Sequence, residues 1–281
     1  MNFADAHPPK EADPAPHHRR VLGIVPARLA STRLPNKPLY PLHGRPLLEW
    51  VWKRVQAMRV LDGAVVATDS EQIAEVCRAL GAPVELTDPA HVSGTDRVAE
   101  VAERKPYRDF EVVVNIQGDE PLLREEHLAA AVELVRDGSW QVGTCATPLL
   151  TEEARKDPSV VKVARAADGR ALYFSRASIP FRREGKPPAG ELGGPPFLRH
   201  VGMYAYRREA LLQWVARPPS PLERTEMLEQ LRALEAGLSV GVALVSAAEG
   251  GVDTPADVVR VEARLLDLGL VEAVDLEPKA T

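Results

Sequence analysis

The sequence predicts an α/β protein: a mainly parallel, Rossmann-like sheet flanked by helices, with a smaller antiparallel β layer inserted into it. Three observations carry that expectation. From Arg20 onward, short apolar runs alternate with segments whose apolar residues recur at helical spacing, the pattern of βαβ units. The runs at residues 21 to 25 and 112 to 116 are continuous and rich in Val and Ile, as strands buried on both faces are. Around residue 147 this alternation gives way to runs separated by turn residues, which reads as antiparallel pairing.

Each element has its own local reason. After the first strand, Leu47, Leu48, Val51, Trp52 and Val55 share one helical face, and residues 63 to 68 (GAVVAT) form a second strand ending at Asp69. Ser70 caps a helix bearing Ile73, Val76, Cys77 and Leu80, and Gly81 stops it. Residues 83 to 87 make a brief third strand, Asp96 opens a helix carrying Val98 and Val101, and the strand VVVNI runs straight into Gln117, Gly118, Asp119, Glu120 and Pro121. In the middle block, residues 160 to 163 and 171 to 175 flank Asp168-Gly169, a strong hairpin signal, and residues 201 to 206 return to strand. Residues 185 to 196, rich in Pro and Gly, read as a mobile loop. A single helix is expected from 221 to 236, ending at Gly237, then a strand at 240 to 245. Thr254 caps a last helix whose first residue is Pro255 and whose apolar face is Val258, Val261 and Leu265. The organisation expected is a disordered tail (1–19), one domain (20–268) with an inserted subdomain at about 147–206, and a flexible C-terminus (269–281).

Composition narrows the function. The 281 residues are 45% hydrophobic and 27% charged, enough for a substantial core. A net charge of −5 argues against bulk nucleic-acid binding, so clustered cations address a small anion. Cys77 and Cys145 are the only cysteines and suggest neither a disulfide framework nor a structural zinc site, which fits a reducing cytoplasm. Residues 1 to 20 lack the apolar core of a secretory signal, and no run approaches the ~18 apolar residues of a membrane span.

The chemistry concentrates on PARLASTRLPNKPL, residues 26 to 39. A proline ends the first buried strand, and Arg28, Arg33 and Lys37 follow on a polar loop. Ligands of open α/β sheets sit beyond the carboxyl ends of the strands, and Arg forks and a Lys point charge suit phosphate oxygens. A solvated basic turn is the bland explanation of such a loop. Two acidic positions tip the balance: Asp119 follows a buried strand through a glycine, and Asp253 sits at another strand-to-helix junction. Singly they read as a turn residue and a helix cap; on one parallel sheet both reach the edge that carries the cationic loop, where they suit magnesium and a polyphosphate. No GxxxxGKS/T, GxGxxG or HExxH occurs, so ATP-hydrolysing, dinucleotide-binding and zinc-protease readings have no support.

Eight segments, VPARLASTRLPNKPL, ATDSEQIA, HVSGTDR, VVNIQGDEP, ALYFSRASIPF, FLRHVGMYAYR, SPLERTEMLEQLR and GVDTPADV, stand in the order and approximate spacing of the bacterial 3-deoxy-manno-octulosonate cytidylyltransferases, or CMP-Kdo synthetases. The chain resembles that family from residue 21 to about 265. CMP-sialic acid synthetases share the PAR start but typically carry Asn after the lysine, where this chain has Pro38.

The resemblance implies a magnesium-dependent nucleotidyltransferase, cytoplasmic and homodimeric, that makes CMP-Kdo and pyrophosphate from CTP and Kdo for lipopolysaccharide biosynthesis. It implies nucleotide contacts from Arg28, Ser31, Arg33, Lys37, Arg97 and Gln117, magnesium on Asp119 and Asp253, and sugar contacts from Gln117, Arg176, His200, Tyr204, Glu229 and Gln230. Lys37, Asp119 and Asp253 would be catalytic. Without the resemblance, Arg97 could pair with Glu100 on its helix, Arg176 could be a surface strand residue, His200 a satisfied core histidine, and Glu229 and Gln230 solvent-facing helix residues. Open alternatives are CMP transfer to 8-amino-Kdo or sialic acid, and a non-catalytic CTP-binding protein on the same fold.

Overall fold

The computed structural model describes residues 19 to 29, 33 to 185, 187 and 192 to 271. Expectations for the tail before Arg19, for Ser31, for part of the 185–196 loop and for the end after Val271 lie outside those residues. Arg19, assigned to the tail by the sequence, is already tied to the fold: its guanidinium donates to the carbonyls of Val135 and Arg136 at 3.2 and 2.8 Å. At the other end Leu270 and Val271 still pack on the apolar cluster around Val258, Val261 and Leu265, past the expected boundary at 268.

The chain runs β1 (Val21–Ala27), the short ladder β2 (Pro41–Leu42) and β3 (Arg45–Pro46), α1 (Leu47–Gln56), β4 (Gly63–Thr68), α2 (Glu71–Ala79), β5 (Val84–Leu86), α3 (Gly94–Glu103) and β6 (Val112–Asn115). It continues through α4 (Glu125–Arg136), β7 (Val142–Pro148), α5 (Glu152–Lys156), β8 (Lys162–Arg165), β9 (Ala171–Ser175) and β10 (Leu198–Arg207). It closes with α6 (Arg208–Val215), α7 (Pro221–Glu226), α8 (Gln230–Glu235), β11 (Val240–Leu244) and α9 (Pro255–Asp267). Among the described residues nine strands form one sheet, whose main path is β11-β7-β10-β6-β1-β4-β5. All neighbours on that path are parallel except β10, which is antiparallel to both β6 and β7.

The sheet is mainly parallel because its strands are joined by helices whose apolar stripes cover both faces. Alternation along β1 divides the core: Leu22 and Ile24 join a cluster with Val98 and Val101 of α3 and Trp214 of α6. Val21 and Val25 face Leu48, Val51 and Val55 of α1, Ile73 of α2 and Val132 of α4. Ser70 caps α2 and Thr254 caps α9, the latter in a reciprocal box with Asp257, as their side-chain chemistry favours. α3 starts earlier than expected. Its cap is Ser93, which accepts from the Asp96 amide, so Asp96 lies inside the first turn.

The antiparallel part is present but is not a free-standing layer. β10 threads through the main sheet between β6 and β7, and the β8–β9 hairpin is attached to it through Arg199 and Lys162. The buried Lys162 ammonium donates to the carbonyls of Asp157, Val160 and Arg176 and so ties the hairpin to the loops at its base. The helix expected from 221 to 236 is two helices. Met227 adopts a left-handed φ of 52°, and the Arg176 guanidinium takes the carbonyls of Glu226 and Met227 at 2.8 and 3.2 Å. With those carbonyls satisfied from outside, α7 ends and the chain re-aims before α8.

Candidate active site

At the carboxyl edge of the sheet β1, β4 and β6 end side by side, with Ala27 beside Thr68 and Ile24 beside Asn115. The loop leaving β1 tightens at Asn36, which has a left-handed φ of 52°, into a single 3-10 turn (Lys37–Leu39) seated by the buried Pro38. That turn aims Lys37 at two carboxylates. Its Nζ lies 2.5 Å from Asp119 Oδ2 and 2.9 Å from Asp253 Oδ1, and Arg33 reaches the same Asp253 oxygen at 3.1 Å. Burial alone would lower the Lys37 pKa, but the two carboxylates outweigh it and hold the ammonium above its ordinary range. Asp119 and Asp253 meet because the Val252 amide donates to the Asp119 carbonyl at 2.9 Å, joining the loop before α9 to the turn after β6.

These groups line an open cavity of about 350 Å³ that also takes in Arg28 and Arg97. Arg28 is exposed at its lip. Arg97 is buried, and its guanidinium is fixed by Asp69 Oδ2 at 2.8 Å and by the Thr87 hydroxyl. Glu100 engages His91 and Arg104 instead, so the helix-surface pairing weighed for Arg97 does not form.

Beside it lies a second cavity of about 140 Å³, which shares Pro26, Gly94 and Gln117 with the first. Its lining includes Asn115, Tyr204, Trp214, Glu229 and Gln230. Antiparallel β10 brings Tyr204 there, opposite Asn115. Glu229 accepts from Ser93 Oγ at 2.9 Å and Thr95 Oγ1 at 3.0 Å, and burial raises its carboxyl above the usual range against the opposing pull of those bonds. Three residues lining this small space carry buried polar atoms that have no partner among the described residues: Asn115 Oδ1, Tyr204 Oη and Trp214 Nε1. A buried polar group left unpaired costs about 1–3 kcal/mol, so the walls of this cavity carry polar groups that the fold itself does not satisfy.

The chain matches the family model described as cytidylyltransferase over residues 22–240. The 3-deoxy-manno-octulosonate cytidylyltransferase of Gemmatimonas aurantiaca is 51% identical over 240 residues, 85% of this chain and 92% of its own length. That of Myxococcus xanthus is 44% identical over 244 residues, 87% and 96% of the two chains. The chain belongs to the 3-deoxy-manno-octulosonate cytidylyltransferase family. A solved CMP:2-keto-3-deoxy-manno-octonic acid synthetase complexed with CTP superposes with a TM-score of 0.80 at 35% identity, over 89% of this chain and 99% of that one. A 4-diphosphocytidyl-2C-methyl-D-erythritol synthase of Anaerococcus prevotii, 12% identical with a TM-score of 0.55 over 89% and 99% of the chains, shares the fold alone.

In this cytidylyltransferase the expected nucleotide residues Arg28, Arg33, Lys37, Arg97 and Gln117 gather around the larger cavity with Asp119 and Asp253. Gln117, Tyr204, Glu229 and Gln230 gather around the smaller one. Arg176 is not brought to either: its guanidinium serves the carbonyls of Pro158, Glu226 and Met227. His200 stands one step behind the small cavity, its ring 5.4 Å from that of Tyr204 and its Nε2 2.9 Å from Thr144 Oγ1. Burial, helped by the Arg199 charge, pushes its pKa down to about 3 and keeps the imidazole neutral. Sequence reasoning missed Asn115, Trp214, Ser93 and Thr95. An amide inside the apolar run VVVNI and the S-x-x-D cap at Ser93 were available signals, whereas Trp214 on an apolar helix face is indistinguishable from core.

Proposed function

We propose that this chain transfers CMP from CTP to the anomeric hydroxyl of Kdo, releasing pyrophosphate and supplying CMP-Kdo for lipopolysaccharide biosynthesis in the cytoplasm. The observation that carries the reading is the pairing of a cation-lined cavity with a smaller one rich in unsatisfied polar atoms, the two joined at Gln117. The names borne by relatives at 44% identity and above supply the identity of the two substrates.

In this reading the triphosphate lies along Arg28, Arg33 and Lys37. Kdo fills the space lined by Asn115, Tyr204, Glu229 and Gln230, with the polar side chains of these residues around its hydroxyls. The anomeric hydroxyl attacks the α-phosphorus and gives its proton up to solvent, the bond from that phosphorus to the bridging oxygen breaks, and pyrophosphate leaves with the electron pair. Such transfers depend on positioning and charge neutralisation, so no covalent enzyme intermediate is required. Asp119 and Asp253, whose oxygens already converge on one cation, suit magnesium, which takes one or two carboxylates and completes its shell with water and phosphate oxygens. Bound there, magnesium would supply Lewis acidity at the reacting phosphate. The neutral His200 holds Thr144 and buttresses the Tyr204 ring. A homodimer accompanies this reading, because Leu172, Phe181 and Met227 leave apolar surface exposed around the hairpin and the α7–α8 break.

The deciding experiment is a pyrophosphate-release panel with magnesium, each nucleoside triphosphate, and Kdo, 8-amino-Kdo and sialic acid. CTP with Kdo should turn over fastest; turnover with sialic acid and none with Kdo would overturn the substrate assignment. Tight CTP binding without release from any pair would favour a non-catalytic binding protein.

A further inference from the structure

We infer that Lys37 is a resident counter-ion for the metal site: its ammonium holds Asp119 and Asp253 together before substrate arrives and excludes a divalent cation until nucleotide comes with it. The inference rests on the reading that these two carboxylates hold the metal, and it extends that reading from what binds to the order of binding.

The geometry is direct. One ammonium lies within 3 Å of both Asp119 Oδ2 and Asp253 Oδ1, joining residues on two loops far apart in the chain. Like-charged carboxylates brought this close destabilise each other unless a cation lies between them. Arg33 cannot substitute, because among the described residues it reaches Asp253 only, from a side chain 65% exposed, whereas that of Lys37 is 18% exposed. The backbone of the lysine is braced as well. Leu39 N donates to Asn36 O at 2.8 Å and Tyr40 N to Lys37 O at 3.1 Å, so relocating the charge needs only side-chain rotation.

A divalent ion held by the same two carboxylates would lie close to the Lys37 ammonium for as long as that ammonium stays between them. Alone, it competes with the lysine and meets its repulsion. A triphosphate changes the balance, because its oxygens offer Lys37 a new anionic partner and complete the ion's coordination shell. Nucleotide and metal are therefore expected to enter together, with Lys37 passing from carboxylate to phosphate.

The test measures binding of Mn²⁺ alone, without nucleotide, by electron paramagnetic resonance and calorimetry. Lys37→Met should bind Mn²⁺ about tenfold more tightly than the unmodified protein, the scale of two partly exposed ion pairs. Lys37→Arg, which keeps the charge, should not. CTP should tighten Mn²⁺ binding to the unmodified protein more than to Lys37→Met. Equal or weaker binding of Mn²⁺ to Lys37→Met, with Asp119→Asn still abolishing that binding, overturns the counter-ion role and leaves the metal reading standing. Mn²⁺ binding untouched by Asp119→Asn in either background overturns the metal reading and the inference with it.

Discussion

The backbone of Gly118 crosses the end of β1 so closely that a Cβ at this position would sit 2.7 Å from the carbonyl oxygen of Pro26. The strand end that carries the cationic loop and the turn that carries Gln117 and Asp119 are thereby held in contact. A side chain at 118 must push them apart, which moves the carboxylate relative to Lys37.

Gly118→Ala is therefore expected to keep the fold at a cost of about 1–3 kcal/mol. It should also lose roughly a hundredfold in kcat/KM, since displacements near 1 Å at a reacting centre have that effect. Chemical denaturation and steady-state kinetics read the two quantities separately. Activity close to that of the unmodified protein would mean that the turn relaxes without moving Asp119.

Tyr204→Phe separates stability from function. The Tyr204 hydroxyl is buried without a partner among the described residues, and the ring packs against those of Tyr206 and Trp214. Removing one oxygen should leave packing intact and stabilise the ligand-free protein by up to about 1 kcal/mol. The same change should raise KM for Kdo about tenfold with little effect on KM for CTP. A variant that is less stable and unaltered toward Kdo would show that the hydroxyl does not meet the sugar.

The contrast between Tyr204 and Lys37 shows what a sequence can reveal. The Lys37 side of the site was legible because a buried strand followed by cations obeys a local rule, although β1 runs one residue past the proline expected to end it, to Ala27; Asp119 and Asp253 follow strands on the same sheet edge. The small cavity depends on strand order: β10 lies antiparallel between β6 and β7, and no local pattern announces that Tyr204 will face Asn115. The break between α7 and α8 was illegible for a similar reason. Propensity from 221 to 236 favours one helix, and what ends α7 is a guanidinium from the far end of β9. Helices α2 and α9 were read well because cap and apolar stripe are contained within each segment, and α1 on its apolar stripe alone.

Acid should weaken the protein through His200. Its folded pKa of about 3 lies well below the ordinary imidazole value of 6.5. As pH falls through 6.5 the unfolded chain gains a proton that the folded chain refuses until about pH 3, so stability declines throughout that window. His127, also buried with a lowered pKa, acts in the same direction. One such group contributes a slope of at most ~1.4 kcal/mol per pH unit. His200→Phe should flatten the dependence of denaturation midpoint on pH between 7 and 5. Parallel curves for the two proteins would place the acid sensitivity elsewhere.

The last expectation concerns assembly. Leu172 on β9 is 54% exposed, Phe181 in the following loop 86% and Met227 at the helix break 74%, although their neighbours Phe174 and Leu228 are buried. The hairpin is anchored by Lys162 and by Arg176, so these side chains stand on a braced surface that a second copy could cover. Closed two-fold pairing buries such a patch on both copies at once. Light scattering at micromolar concentration should give twice the 30.7 kDa chain mass. Leu172→Asp combined with Phe181→Asp should shift it toward one chain while leaving Lys37, Asp119 and Asp253 untouched, because a charge buried at an apolar interface has no partner. The wild-type chain measured as a monomer with full activity at that concentration would refute the dimer, and the exposed residues would then be an ordinary apolar surface.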